Sequence, residues 1–420
     1  MCATLTKSSK SDAYQQSVNL LHLCCTADGF LASPTEHDNY RRVWARDGVI
    51  ISLAALLTDN QQLKLGVRKT LETLAQYQGK HGEIPSNVDA ITQRVSYGGT
   101  TGRVDASLWF VIGCGEYWQA TGDHAFIEQY YPVLEKVRFL LGAWEFNNRG
   151  LLYVPQAGDW ADEYIQSGYV LYDQLLYLQA QRALYKIQCY IQQTEDHIFQ
   201  ERITHLKHLI QRNYWFHDET DKGNNIYHEV LYEKGLKAVG SCRNAYWLPF
   251  FAPSGYGYRF DAFANVLASL FGVADSEQSE HVDSYISKLV SPNLPLLPAF
   301  HPVIEPKDDD WKDLQMTFSY TFKNNPYEYH NAGLWPMITG FYVADLALRQ
   351  KHKEAAWFLD GIDKANATGK DDEQWSFYEY FHGKKLTPGG TRQQGWNAAA
   401  SIIGHHSLNN ETVFRINEHD

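Results

Sequence analysis

The sequence predicts an all-α fold, an (α/α)6 barrel in which an inner ring of buried helices alternates with an outer ring of amphipathic ones. Three observations predict it. Segments of helical length follow one another along the 420 residues, alternately apolar on nearly every side and apolar along a single stripe. Strand-like alternation is scarce. The connections, at 79–102, 145–168, 214–258, 291–330 and 367–393, are long and carry much of the Gly, Pro and Trp. Loops beyond about 12–15 residues are usually functional or disordered, and these hold too much Trp, Tyr and Phe to be disordered.

Taken in order, residues 1–12 read as a flexible N-terminus, and 48–57 (GVIISLAALL) as a helix buried all round. Leu63, Val67, Leu71, Leu74 and Tyr77 then recur at three- and four-residue steps, which gives one apolar face and a polar back. The alternation repeats: 103–120 apolar and aromatic, 124–143 amphipathic, 170–190 mostly buried, 196–213 amphipathic. Further helices are expected at 260–272, 279–290, 331–349, 353–364 and 394–406, about a dozen in all, with 48–57, 103–120 and 331–345 on the inner ring. An irregular helical bundle or a solenoid is the alternative, and the absence of a fixed-period repeat speaks against the solenoid. No Pro-, Gly- or Ser-rich linker divides the chain, so one catalytic domain over 1–420 is expected.

The 37 Lys and Arg against 49 Asp and Glu give a formal charge of −12, which argues against a nucleic acid or an anionic membrane as partner. The 12 Trp, 27 Tyr and 20 Phe suit a site that stacks sugar rings, or equally a large Tyr-rich core. Six cysteines (Cys2, Cys24, Cys25, Cys114, Cys189, Cys242) form no zinc spacing and no disulfide framework. The N-terminal MCATLTKSSKSDAY lacks a signal-type apolar region, and no run of 18 apolar residues occurs; a cytoplasmic protein is expected. P-loop, H-E-x-x-H, Gly-x-Ser-x-Gly and dinucleotide patterns are absent; Gly369-Lys370 lacks the rest of a P-loop, and His405-His406 reads as surface.

Aromatic residues interleave with carboxylates in the loops: Trp44-Ala45-Arg46-Asp47, Gly158-Asp159-Trp160-Ala161-Asp162-Glu163, Tyr327-Glu328-Tyr329-His330-Asn331 and Phe377-Tyr378-Glu379-Tyr380-Phe381. Glycoside hydrolysis needs such a composition: one carboxylic acid to protonate the leaving oxygen, one carboxylate to activate water or attack, and apolar platforms under the sugar. Each carboxylate also has a structural reading. Asp47 could cap a helix from Gly48, Asp105 could serve a helix start, and Trp109, Trp335 and Trp396 could be core.

Six blocks in order, NYRRVWARDGVIISLAALL (39–57), GRVDASLWFVIGCGEYWQATGD (102–123), RFDAFANVLASLFGVADSEQ (259–278), PLLPAFHPVIEPKDDDW (295–311), NNPYEYHNAGLWP (324–336) and FYEYFHG followed by RQQGW (377–396), resemble alkaline/neutral invertases over about residues 15–408. The block at 102–123 also resembles the glucosidase domain of glycogen-debranching enzymes. The resemblance implies the (α/α)6 fold and an inverting glycoside hydrolase without cofactor or metal. It implies Asp162 as general acid, with Asp159 the alternative, and Glu379 as general base. Asp47, after Arg46, resembles the carboxylate that grips the sugar's hydroxyls. Trp44, Asp105, Trp109, His330, Asn331, Trp335, Arg392, Gln394 and Trp396 are expected around the substrate. The sequence departs from invertases at Asp173, where they carry Glu, in a shorter segment from Glu379 to Gln394, and in the register of Arg392.

The expectation is therefore a hydrolase of a small α-glucoside, sucrose first. A debranching-type α-glucosidase or a glycosylglycerate hydrolase is the alternative in the same class, and a non-catalytic carbohydrate-binding relative the alternative in another. The expected partner is a small carbohydrate, with a homo-oligomer possible.

Overall fold

The computed structural model of the chain describes residues 7–216, 224–239, 245–318, 320–369 and 374–417. Its helices run in outer and inner partners along the sequence. They are α1 (Lys7–Cys24) and α2 (Ala45–Leu57), then α3 (Gln61–Gln76) and α4 (Val104–Thr121), then α5 (His124–Ala143) and α6 (Leu171–Gln192). The chain continues through α7 (His197–Tyr214), a short α8 (Glu229–Ala238) and α9 (Ala262–Leu270). It ends with α10 (Ser276–Leu289), a short α11 (Trp311–Gln315), α12 (Pro336–Leu348), α13 (His352–Ala367) and α14 (Gly395–Ser407).

Burial follows the predicted alternation. Every residue of α2 is buried, and every residue of α12 except Leu348. In contrast, α5 buries only Phe126, Ile127, Leu134, Val137, Leu140 and Leu141, a single stripe. A helix apolar on all sides is stable only when enclosed, since each exposed Leu, Ile or Val would forgo about 1.5–3 kcal/mol of burial. The inner helices enclose one another: α2 packs on α4, α4 on α6, α6 on α9, α9 on α12, α12 on α14, and α14 on α2. The approach of α12 to α14 is tight enough to require Gly340, where any side chain would collide with Ala400.

The two sets of helices begin differently. Four of the outer helices carry side-chain caps, in which a short polar side chain satisfies an otherwise orphaned backbone N–H, whereas α13 has none. Asn60 caps α3, Asp123 caps α5, Asp196 caps α7, and Asp275 forms a capping box with Gln278 on α10. Of the inner helices, only α9 has such a cap, from Asp261; α2, α4, α6, α12 and α14 have none. Acidic residues stand instead in the first turns of α2, α4 and α6, namely Asp47, Asp105 and Asp173, where the positive end of the helix dipole favours them. Contacts join these starts. Arg46 bonds Asp105, Tyr172 lies 3.5 Å from Asp105, Trp335 packs on Trp396, and Arg46 lies over Trp396. The inner N-termini converge.

Strands are more numerous than the sequence led us to expect, fourteen among the described residues, but none exceeds three residues. Such short pieces show no period-two alternation, which is why the sequence hides them. They knit the long loops ahead of the inner helices. Val43–Trp44 (β3) pairs with Asn87–Asp89 (β4), and Leu334–Trp335 (β12) pairs with both Leu297–Pro298 (β10) and Tyr380–Phe381 (β13).

Other differences are local. Helix α12 begins at Pro336, a residue suited to the first helical position, and not at 331, because Ala332 has φ 68° and 334–335 are extended. Asp47 is the third residue of α2, whose N-cap is Trp44, so it is not the cap. His405 and His406 are half-buried clamps and not surface groups: His405 bonds Asp363, and His406 bonds Tyr14 and Glu411. Helices α1, α8 and α11 were not expected. Of residues 1–12, Lys7 onward lies in α1 and 1–6 are outside the described residues, as are Cys2, Cys242 and Lys370. Cys24, Cys25, Cys114 and Cys189 are free thiols. Among the described residues no helix is long and apolar enough to cross a membrane.

Candidate active site

The inner-helix starts and the loops before them surround a cavity of about 560 Å³. Eight of the sequence-predicted residues line it: Trp44, Arg46, Asp47, Asp162, His330, Trp335, Glu379 and Trp396. Segments more than 330 residues apart thus meet, and local structure explains how. Trp44 ends β3 and leads directly into α2, which points Arg46 and Asp47 inward from the first turn. Glu379 precedes β13, whose pairing to β12 sets it beside the start of α12. A side chain at Gly390, which has φ +73°, would strike the Glu379 carboxylate, so glycine is required there.

Glu379 is almost fully buried and accepts hydrogen bonds from the Tyr40 hydroxyl (2.7 Å) and the Thr391 N–H (3.1 Å). Burial raises its pKa, with Asp162 adding to the rise, while Tyr40, Lys323 and Thr391 oppose it. Burial likewise pushes Asp47 up to about 6, against the lowering effect of Arg46. His330 is driven down to about 3 by burial and is therefore neutral. Its ring stacks on Trp335 and meets Trp160 edge-on. Tyr327, Tyr329 and Ala332, around it, hold left-handed backbone angles, a strain of order 1 kcal/mol or more each that functional loops often carry.

Asp162 sits in the loop closed by the Val154–Gly168 bridge. Its carboxylate accepts from Arg103 Nη2 (2.6 Å), and the loop is pinned by Val104 N–H on the Gly158 carbonyl (2.7 Å) and Thr317 on the Glu163 carbonyl (2.9 Å). Asp162 also lines a second, outer cavity of about 1220 Å³, as do Arg103, Gly99 and Tyr320. Among the described residues it is the one carboxylate common to both.

Six predicted residues line neither cavity. Asp159 is buried beneath the loop, accepting from Gln166 (2.7 Å) and the Ala161 N–H (2.8 Å). Asp105 supports Arg46 from behind at 3.0 Å. Trp109, one turn further along α4, donates to Tyr172 within the core. Asn331 ties the backbones of Ile304 and Asn324 together. Gln394 is buried at the N-cap of α14, and Arg392 is exposed, its carbonyl accepting from Ser33. The sequence reading missed Tyr40, Arg103, Trp160 and Tyr329 as site residues, although all four lie in the stretches it singled out. Lys323 it had no means to find.

Asp159, Asp173 and Asp261 form a buried acidic group behind the site. Burial pushes Asp159 up to about 7 and Asp261 up to about 8, and Asp173, facing Asp159, Asp105 and Asp261, well above the usual range. A carboxyl whose pKa is higher folded than unfolded contributes stability below its unfolded value and loses it as pH rises through the folded one. The melting temperature is therefore expected to fall as pH rises from about 5 to about 8, and Asp173→Asn to flatten that slope; an unchanged slope in the variant contradicts the assignment.

A family model described as bacterial alpha-L-rhamnosidase 6 hairpin glycosidase domain matches residues 8–293, and one described as alkaline and neutral invertase matches residues 216–411. The mitochondrial alkaline/neutral invertase C of Arabidopsis thaliana is 25% identical over 337 residues, 72% of this chain and 48% of that protein, so the chain spans about half its length. The probable alkaline/neutral invertase F of the same plant is 22% identical over 422 residues, 89% of this chain and 82% of that one. The likeness to invertases read from the sequence blocks holds. Among solved structures, a bacterial glucoamylase complexed with acarbose aligns with a TM-score of 0.66 at 13% identity, covering 98% of this chain and 58% of that chain. A mannosylglycerate hydrolase from Thermus thermophilus in complex with glucose aligns at 0.62 and 13%, covering 93% and 99%. These likenesses show the fold.

Proposed function

The chain belongs to the six-hairpin glycosidase domain family of the bacterial α-L-rhamnosidase type, and we propose that it is an inverting glycoside hydrolase of α-glucosides, with sucrose the first substrate to test. In this reading the six inner helices form the ring of an (α/α)6 barrel with the site at its mouth. The observation that carries the proposal is the position of Asp162 at the junction of the two cavities, with Glu379 lining only the inner one. A general acid must touch the oxygen that belongs to both halves of the substrate. The base must face the anomeric carbon from the enclosed side.

The inner cavity then holds the sugar whose bond is cut. Glu379 takes a proton from water as the water oxygen bonds to the anomeric carbon. The bond from that carbon to the glycosidic oxygen breaks, and the oxygen takes the proton of Asp162. Positive charge grows on the ring during this exchange. The ionised Glu379 and Asp47 stabilise it, and a neutral His330 does not repel it. Asp47 Oδ2, Trp160 Nε1, His330 Nδ1 and Trp396 Nε1 are buried in the cavity wall without hydrogen-bond partners, which suits them to grip hydroxyls. The preference for sucrose rests on the likeness to invertases.

The test is to follow sucrose hydrolysis by NMR and polarimetry from the first turnovers. Release of β-glucose ahead of mutarotation is the expected result. Initial release of α-glucose overturns the inverting assignment. Failure to cleave sucrose while other α-glucosides are cleaved overturns the substrate and leaves the mechanism standing.

A further inference from the structure

We propose that the outer cavity is a leaving-group cleft for at least two sugar units beyond the scissile bond, so that the natural substrate is an oligosaccharide and a disaccharide is a truncated one. The inference rests on the proposed direction of the substrate, with the cleaved sugar in the inner cavity and the leaving group beyond Asp162.

Space gives the first argument. The inner cavity of about 560 Å³ falls within the roughly 300–1,000 Å³ of pockets that enclose a whole small molecule, and the outer one, at about 1220 Å³, exceeds that range. A single fructosyl or glyceryl leaving group leaves most of it empty.

The wall gives the second. Tyr164 and Phe300, 2% and 1% exposed, stack on each other at 4.2 Å and form a rigid, buried backing to one side of it. Phe318 and Tyr320 stand at the rim with 42% and 94% of their surfaces exposed, and Tyr320 lines both cavities. Soluble proteins have little reason to expose large rings along a concave surface unless a flat apolar face stacks there, and the faces of sugar rings fit that description.

Hydrogen bonding gives the third. The Tyr164 hydroxyl, Gln166 Oε1 and Arg259 Nε belong to residues lining this cavity, and all three atoms are buried without a hydrogen-bond partner. Buried polar groups are normally satisfied, so a set of unsatisfied ones, both donors and acceptors, among the residues lining one cavity suits a hydroxyl-rich ligand. Exposed rings at the rim together with mixed donors and acceptors among the lining residues fit a carbohydrate chain better than an anion or a lipid.

Chain-length kinetics test this. Remote binding energy from extra sugars is expressed in kcat/KM when the cleft engages them. The probes are sucrose, 1-kestose and nystose, which lengthen the fructosyl side, together with maltose, maltotriose and maltotetraose. In whichever series is cleaved, the tetrasaccharide is expected to exceed the disaccharide by roughly tenfold or more in kcat/KM. Phe318→Ala and Tyr164→Phe, a rim and a floor variant, are expected to bring that ratio several-fold towards one. Equal kcat/KM for disaccharide and tetrasaccharide, or a ratio unmoved by both variants, overturns the cleft while leaving the hydrolase reading intact. If neither series is cleaved, both readings fall.

Discussion

Asp162→Asn and Glu379→Gln are each expected to lower turnover of an unactivated glycoside by about a thousandfold or more, the range that loss of a positioned acid or base produces. The two should part company on an activated substrate. A glycosyl fluoride expels an anion that needs little help from a proton, so Asp162→Asn should recover much of its rate there. Glu379→Gln should not, because attack still requires water to be deprotonated. Asp159→Asn is the control: its carboxyl is buried with Gln166 below the loop and lines neither cavity. If Asp159→Asn proves silent and Asp162→Asn active, the two aspartates of that turn exchange roles. The pH profile adds a second check. Glu379 must be ionised to act as base and burial raises its pKa, so the acidic limb of kcat/KM is expected above the ordinary glutamate value of about 4.3.

The helices were legible because the physical signal for each is local. A segment such as GVIISLAALL can only be stable when surrounded, and one with apolar residues at three- and four-residue steps needs a neighbour on one side only. The short strands were not legible, since two residues carry no period, yet they set the register that carries Glu379 to the inner-helix starts. Among the site residues, Arg46, Asp47 and Trp396, on the first turns of α2 and α14, could be read from the motif itself, because a helix start fixes where its next side chains point. Asp105 and Trp109 illustrate the limit. They lie on α4, which packs against α2, but one supports Arg46 from behind and the other faces Tyr172. Rotation about a helix axis decides between wall and support, and spacing alone does not report it. Lys323, whose ammonium lies over the Tyr329 ring at the cavity, comes from a connection with no pattern to mark it.

Arg46→Met is expected to be the most damaging single change to stability among the residues of the site. Arg46 is nearly buried, donates to Asp105 at 3.0 Å, lies 3.6 Å from Asp47, and sits over Trp396 with 5.7 Å to the ring centre. One guanidinium therefore holds two buried carboxylates and packs against the ring that starts α14. A methionine of similar length keeps most of the packing and removes the charge. Breaking a buried ion pair by deleting one partner typically costs about 3–5 kcal/mol, because the remaining charge has neither water nor counter-ion. The loss should depend on pH in a set direction. Burial already pushes Asp47 up to about 6 with Arg46 opposing the rise, so without Arg46 its pKa climbs further. A carboxyl raised in the folded state destabilises progressively as pH increases through its folded value, so the variant should melt closest to the wild type near pH 5 and fall furthest behind near pH 8. Arg46→Lys should recover part of the loss, since an ammonium restores the charge but cannot span both carboxylates with a planar fork. Thermal unfolding of the three proteins across that pH range decides the matter: a pH-independent loss, or a lysine variant no better than methionine, would show that Arg46 acts through packing on Trp396 and not through the charges it joins.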